Sequence, residues 1–396
     1  MSMPSPAVTI PCARFPGTWI LLLVLSFLHP TTLAGQQERE PWHIAGENLE
    51  GIVGGRSRLE MVEITHGGLR ATALEGIWDP QEQLVTLKGM VRIRDSTRTM
   101  TSDSATYNRR TRVLIMEGDV AGEGPEGRLG GRRLLYRRRD EWVRVTGDAW
   151  LADERQRVDA DSLVYDQASG KGRALGNVVL TDMADSTRAT GDIGLLDRRE
   201  ESLVLVARPP GRPRMTRPAS EGEPPVVVEA DTLMMNQQED RAVALGNVVV
   251  QQGRMGATGG RARFFREQDR MELLDDPRAW DPDGAMAGDT LRLVFGPNGP
   301  ERLLVLGRAS AEYLPAERPG EETFAIGDTL VAHFDERRLQ RLDVRSQAQS
   351  LFIPSITDRE QNVGKNWSQS KFLAVNFAGG RAVRVLMQGD AAGVYT

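Results

Sequence analysis

The sequence predicts an all-β fold made of stacked two-strand modules, and three observations carry that prediction. A template of about 29 residues recurs, apolar and polar residues alternate within each copy, and helical periodicity is almost absent beyond the first thirty-odd residues. The clearest copy reads Ala160-Asp161-Ser162-Leu163-Val164-Tyr165, then Gly176-Asn177-Val178-Val179-Leu180. Its second position recurs at Leu74, Asp103, Arg132, Asp161, Asp192, Asp231, Arg261, Asp289 and Asp328, at gaps of 29, 29, 29, 31, 39, 30, 28 and 39 residues. A two-stranded unit is marginal alone in water, whereas a stack pairs every backbone edge except the terminal ones.

At the N-terminus, Arg14 precedes the apolar run Trp19 to Leu28, and Thr32-Leu33-Ala34 supplies small residues before Gly35. This reads as a Sec-type signal peptide over residues 1–35. The run is shorter than the roughly 20 residues of a spanning helix, and an uncleaved anchor stays open as the alternative. Cys12, the single cysteine, lies before the apolar core and would leave with the signal, so the mature chain would carry no thiol. Periplasmic localisation is the expectation. Residues 36–70 follow as a connector with capping strands, weakly alternating at Leu59, Met61 and Ile64.

Residues 71–207 form the first regular stretch, with second strands at Leu84 to Arg94, Val113 to Ala121, Trp142 to Leu151, Ala174 to Thr181 and Leu203 to Ala207. One parity of each is apolar: Val85, Leu87, Val91; Leu114, Met116, Val120; Val143, Val145; Val178, Leu180. The opposite parity holds Thr86, Arg92, Arg144 and Asn177, which marks strands buried on one side only. Residues 208–225 hold six prolines without alternation and read as a linker or long loop. The pattern then resumes over 226–396, with loops near Leu314 to Glu322 and Ser355 to Ser370. One continuous stack and two tandem lobes both fit, two lobes somewhat better.

Glycine followed by Asp or Asn, as in Gly118-Asp119, Gly147-Asp148, Gly176-Asn177, Gly246-Asn247 and Gly389-Asp390, suits a bulge or corner where a strand passes from one sheet to another. Ordinary hairpin turns are the alternative. The aspartates recurring at one point of successive copies suggest a structural task, such as capping the turn into the strand, with calcium binding as the rival.

Charge and motifs narrow the function. The 50 basic and 55 acidic residues are well mixed, which argues against nucleic-acid binding. His29, His43, His66 and His333 have no metal-ligand spacing, and no Gly-x-Ser-x-Gly elbow or phosphate loop is present. No catalytic residue, metal or cofactor is expected.

The copies Ala160-Asp161-Ser162-Leu163-Val164-Tyr165 and Glu229-Ala230-Asp231-Thr232-Leu233-Met234-Met235, with Leu175-Gly176-Asn177-Val178 and Leu245-Gly246-Asn247-Val248, resemble the OstA-like family of lipopolysaccharide-transport proteins: LptA, LptC and the N-terminal domain of LptD. The ending, Phe372 to Phe377 and then Gly389-Asp390-Ala391-Ala392-Gly393-Val394-Tyr395, is similar to the close of longer OstA-like proteins. The resemblance implies a twisted β-jellyroll whose two sheets enclose an apolar groove for acyl chains. It further implies lipopolysaccharide or a related lipid as ligand, other transport proteins or a second copy joined edge to edge as partners, peripheral contact with inner- and outer-membrane assemblies, and no enzymatic activity. Groove candidates are then Val85, Leu87, Val91, Leu114, Met116, Val120, Val143, Val145, Leu163, Tyr165, Val178, Leu180, Val248, Val250, Leu291 and Leu293; a filled core is the other reading of each. At about twice the length of a single-domain family member, the chain would be a fused or tandem version. A polysaccharide-binding or polysaccharide-cleaving β-solenoid and a structural cell-surface repeat protein are the competing functions.

Overall fold

The computed structural model describes residues 42–395 apart from 52–53, 67, 126, 155, 167, 198, 201, 220–223, 237–240, 266–267, 283, 297–298, 314–322, 336–337, 353–364 and 379–380. The signal segment expected over 1–35 lies outside the described residues. Every regular element among the described residues is a β-strand. The chain separates into an N-terminal unit, residues 16–213 with 236–238, and a C-terminal unit that includes 214–235 and 239–396.

The N-terminal unit comprises β1 (His43–Ala45), β2 (Leu49–Gly51), β3 (Ser57–His66), β4 (Leu69–Asp79), β5 (Leu84–Arg94), β6 (Thr99–Asn108), β7 (Val113–Gly124), β8 (Gly127–Arg137), β9 (Trp142–Ala152), β10 (Gln156–Asp166), β11 (Lys171–Asp182), β12 (Arg188–Asp197) and β13 (Ser202–Val206). From β3 to β13 each strand pairs antiparallel with the next. Short β1 and β2 both pair with β3 and cover its free edge. The strands are longer than the sequence pattern suggests: β10 begins five residues before Asp161, because Gln156 and Val158 are buried there too.

A register shift interrupts the ladders near mid-strand, for example between Lys88 and Val91 on β5 and between Leu175 and Val178 on β11. Gly89, Gly118, Gly147 and Gly176 sit at these shifts with φ of 73, 77, 77 and 76°, and Met90, Asp119, Asp148 and Asn177 follow at 51, 40, 51 and 48°. Two consecutive left-handed residues insert an extra residue and bend the strand. The glycine pairs are therefore corners within strands, and the hairpin-turn alternative is set aside. The long strands β4 to β11 contribute one half to each of two layers, with the core between them: Val62, Ile64, Ala71, Leu87, Val91, Met116, Val120, Leu134, Val143, Leu151 and Tyr165 belong to one buried cluster.

The C-terminal unit comprises β14 (Arg214–Arg217), β15 (Val226–Glu229), β16 (Thr232–Asn236), β17 (Arg241–Gln252), β18 (Met255–Phe265), β19 (Arg270–Leu274), β20 (Arg278–Trp280), β21 (Gly284–Ala287), β22 (Thr290–Gly296), β23 (Gly299–Tyr313), β24 (Thr323–Asp335), β25 (Arg338–Phe352), β26 (Asn366–Ala378), β27 (Arg381–Gln388) and β28 (Ala392–Tyr395). The same corner recurs as bulges in β17, β23 and β25. Elsewhere it is a full break, so that β19 and β20 both pair with β18, and β27 and β28 both pair with β26.

Two expectations are corrected here. The proline-rich stretch 208–225 is not strand-free: Arg214–Arg217 pairs with β15, and Met215 packs against the C-terminal core. Pro213 and Pro218 flank those four residues, so neither removes a donor from the ladder. The loop expected through Ser370 ends earlier, because β26 starts at Asn366 with Ser368 and Ser370 facing inward, and the Ser350 and Ser368 hydroxyls hydrogen-bond at 2.8 Å. Polar inward residues conceal a strand from a pattern that seeks apolar ones.

Candidate functional site

Cross-strand register brings the inward side chains of the N-terminal unit into two parallel rows. The outer row runs Trp78, Val85, Tyr107, Leu114, Tyr136, Val143, Tyr165, Gly172, Leu196 and Leu203, each directly opposite the next. The inner row runs Gly76, Leu87, Ala105, Met116, Leu134, Val145, Leu163, Ala174, Gly194 and Leu205. At about 4.8 Å per strand each row is on the order of 40 Å long. The aromatic that recurs every 29 residues, Trp78, Tyr107, Tyr136 and Tyr165, thus forms a ladder on alternate strands.

Burial separates the candidate residues into two kinds. Leu87, Val91, Met116, Val120, Val143, Val145, Tyr165, Val178 and Leu180 are buried, Met116 and Val178 with no exposed surface at all. Val85, Leu114 and Leu163 are half-buried and pack against that cluster together with Tyr136 and Leu196. A side chain already enclosed by protein gains nothing from a ligand, whereas a half-buried one does. The row Val85, Leu114, Tyr136 and Leu196, with Leu163 behind it, is therefore where apolar surface remains to be covered. Burial also lifts the Tyr136 phenol above its ordinary range, outweighing the opposing pull of Arg138.

One end of the aromatic row carries a stack. Trp42 lies 4.5 Å from the His66 ring at 10° and 6.4 Å from Tyr107 at 21°. The Arg109 guanidinium lies over both Trp42 and Trp78, at 5.8 and 5.6 Å.

In the C-terminal unit, Val248 and Leu291 are buried in a second cluster, and Val250 and Leu293 pack half-buried against it. Here one layer presents large side chains, Leu273, Leu291, Val305, Leu330, Val344 and Leu373 in register, and the other mostly small ones, Ala257, Ala279, Ala311, Ala325, Ser350 and Ser368, with Met286 among them.

The recurring aspartates have a task different from capping a turn. Asp161 lies mid-strand with its carboxylate over Gly176 of the next strand; a Cβ on Gly176 would stand 2.7 Å from Asp161 Cγ. Asn177 Nδ2 donates to Asp161 Oδ1 at 3.1 Å, Asn247 Nδ2 to Asp231 Oδ2 at 2.9 Å and Arg308 Nε to Asp289 Oδ1 at 2.8 Å. Two other corners reverse the partners, with Arg132 on Asp148 at 2.6 Å and Lys371 on Asp390 at 2.8 Å. The residue over the glycine and the residue after it form a bracket across the bulge. The sequence conceals that bracket because the two residues lie 16 or 19 apart, a separation meaningful only once the register is known. Among the described residues no group of three or more His, Cys, Asp or Glu could hold a metal ion.

Residues 227–276 match the family of LptA/(LptD N-terminal domain) lipopolysaccharide transport proteins. The matched segment contains the Asp231, Gly246 and Asn247 bracket. LptH, the LptA homologous periplasmic component of the lipopolysaccharide transport device from Pseudomonas aeruginosa, is 20% identical, covering 30% of this chain and 82% of its own, with a TM-score of 0.27. The WD40 domain of SCAP from fission yeast is 9% identical over 90% of this chain and 91% of its own, with a TM-score of 0.12. No curated protein matches the chain.

Proposed function

We propose that this OstA-like, LptA-type chain is a non-enzymatic periplasmic protein of lipopolysaccharide transport, holding acyl chains along the half-buried part of the inward-facing outer row of its N-terminal unit. The family match supports the transport role. The observation that carries the lipid reading is the row Val85, Leu114, Tyr136 and Leu196: inward-facing and in register, yet only partly covered by the protein itself. Each methylene laid against such a row is worth roughly 0.8 kcal/mol, so several acyl tails bind firmly without a catalytic group. Val178, Leu180, Met116 and the other enclosed candidates serve as the wall behind the row, and Val250 and Leu293 continue the same role in the C-terminal unit.

The test is lipid content. Protein purified from cell envelopes in mild detergent is expected to carry lipopolysaccharide, and Leu114→Asp with Leu163→Asp is expected to lose most of it while remaining folded. Wild-type protein that stays lipid-free when incubated with excess lipopolysaccharide refutes the proposal. A stable variant that retains full lipid removes the row from it.

A further inference from the structure

The outward face of the C-terminal unit carries a cationic row that the mixed sequence composition conceals. Arg270, Val294, Arg302, His333, Arg341, Asn376 and Arg384 stand directly opposite one another on seven strands. Their sequence neighbours Met271, Leu293, Leu303, Leu342 and Val375 point into the core, so this row faces away from it. Arg302, His333 and Arg341 occupy adjacent strands. Positive groups placed directly opposite one another cost stability rather than supply it.

The internal counter-charges offset this row only in part: Arg341 Nε donates to Asp343 at 2.5 Å and Arg302 Nε stands 3.4 Å from Glu301. Two acids on this face, Glu272 and Asp343, are sunk to 7 and 4% exposure. Arg270 Nε stands 3.7 Å from Glu272, and His333 Nε2 stands 3.5 Å from Asp343. Both nitrogens are buried atoms with no hydrogen-bond partner among the described residues. Arg384, and Arg345 beside the row, have no acidic partner within ion-pair distance among the described residues. Next to the cations run Leu304, Val331, Asp343, Ala374 and Leu386, of which Val331, Asp343 and Ala374 are buried. Six strand spacings make the row roughly 29 Å long, which suits a planar array of anions better than one phosphate. An extended row of cations matches the phosphates of a headgroup layer.

We infer that this face docks the protein on a membrane surface bearing anionic phospholipid headgroups. The inference does not depend on what the interior holds. The test is co-sedimentation of the full chain with phosphatidylglycerol vesicles and with phosphatidylcholine vesicles, for wild type and for Arg302→Gln/Arg345→Gln/Arg384→Gln. None of those three arginines touches Glu272 or Asp343, so the fold is spared, and an unchanged melting curve verifies it. The apolar segment Trp19–Leu28 is common to every sample and cancels in the comparison.

Each arginine near an anionic surface contributes about a fivefold increase in partitioning, so the triple variant is expected to bind phosphatidylglycerol on the order of a hundredfold more weakly. Raised salt is expected to abolish the difference. A control triple on the N-terminal unit, Arg92→Gln/Arg94→Gln/Arg110→Gln, is expected to bind nearly as wild type. Equal binding to both vesicle types, equal losses for both triples, or full competition by millimolar inorganic phosphate overturns the inference.

Discussion

Gly176→Ala probes the corner on which the whole repeat turns. Gly176 adopts φ +76°, where an L-residue pays roughly 1–2 kcal/mol. The new Cβ would stand 2.7 Å from Asp161 Cγ, with the carboxylate oxygen Oδ2 nearer still, so the Asp161 side chain must swing away. Its hydrogen bonds from Asn177, at 3.1 and 3.2 Å, are then lost. An exposed hydrogen bond to a charged group sits at the low end of its range, about 0.5–1 kcal/mol. The summed cost is about 1.5–3 kcal/mol. Denaturant unfolding measures it as a fall in midpoint at constant m. A double-mutant cycle with Asp161→Ala separates the parts: in that background Gly176→Ala should cost only the backbone share, about 1–2 kcal/mol. A cost below about 0.5 kcal/mol in the wild-type background, or an identical cost in both, refutes the bracket and the corner assigned to it.

Three further outcomes follow from the same geometry. At the β25 corner Ser346 and Gln347 hold φ of 62 and 52° without a glycine, so Ser346→Gly is expected to raise stability by up to about 1 kcal/mol in the same assay. Asp79 is held below its ordinary carboxylate range, first by the hydrogen bond from Arg56 at 2.7 Å and then by the backbone of Glu82. A depressed acid stabilises the fold above its ordinary value and loses that contribution as pH falls toward the folded one. Asp79→Asn is therefore expected to flatten the acid side of the melting-temperature profile below about pH 4, and an unchanged profile counts against the pair. Leu134→Ala, at a site with no exposed surface, is expected to cost about 2–5 kcal/mol, whereas Leu114→Ala on the half-buried row costs less and is read out mainly as lost lipid.

Much of this architecture was legible because its signals are local. The alternation at Leu163 and Tyr165 fixes which side of β10 is apolar, and a glycine followed by Asp or Asn announces a left-handed pair before any coordinates exist. What stayed hidden depends on register. Asp161 over Gly176 is a contact between neighbouring strands, and Arg270, Arg302, Arg341 and Arg384 align only after seven strands are laid side by side. Ser368 and Ser370 read as loop in the sequence because polar residues on an inward face break the apolar pattern. Among the groove candidates, sequence alone could not separate Met116, enclosed, from Leu114, half-covered: both lie on the same parity of β7, and depth along the strand decides.

The most direct test of the lipid reading is photocrosslinking in cells, with a photoreactive residue at Leu114 or Leu163 on the two inward-facing rows and at Thr106 or Val164 on the opposite face. The account predicts lipopolysaccharide adducts from Leu114 and Leu163 and none from Thr106 and Val164. Adducts from all four positions alike, or from none while the protein is folded and lipopolysaccharide is being exported, would contradict it.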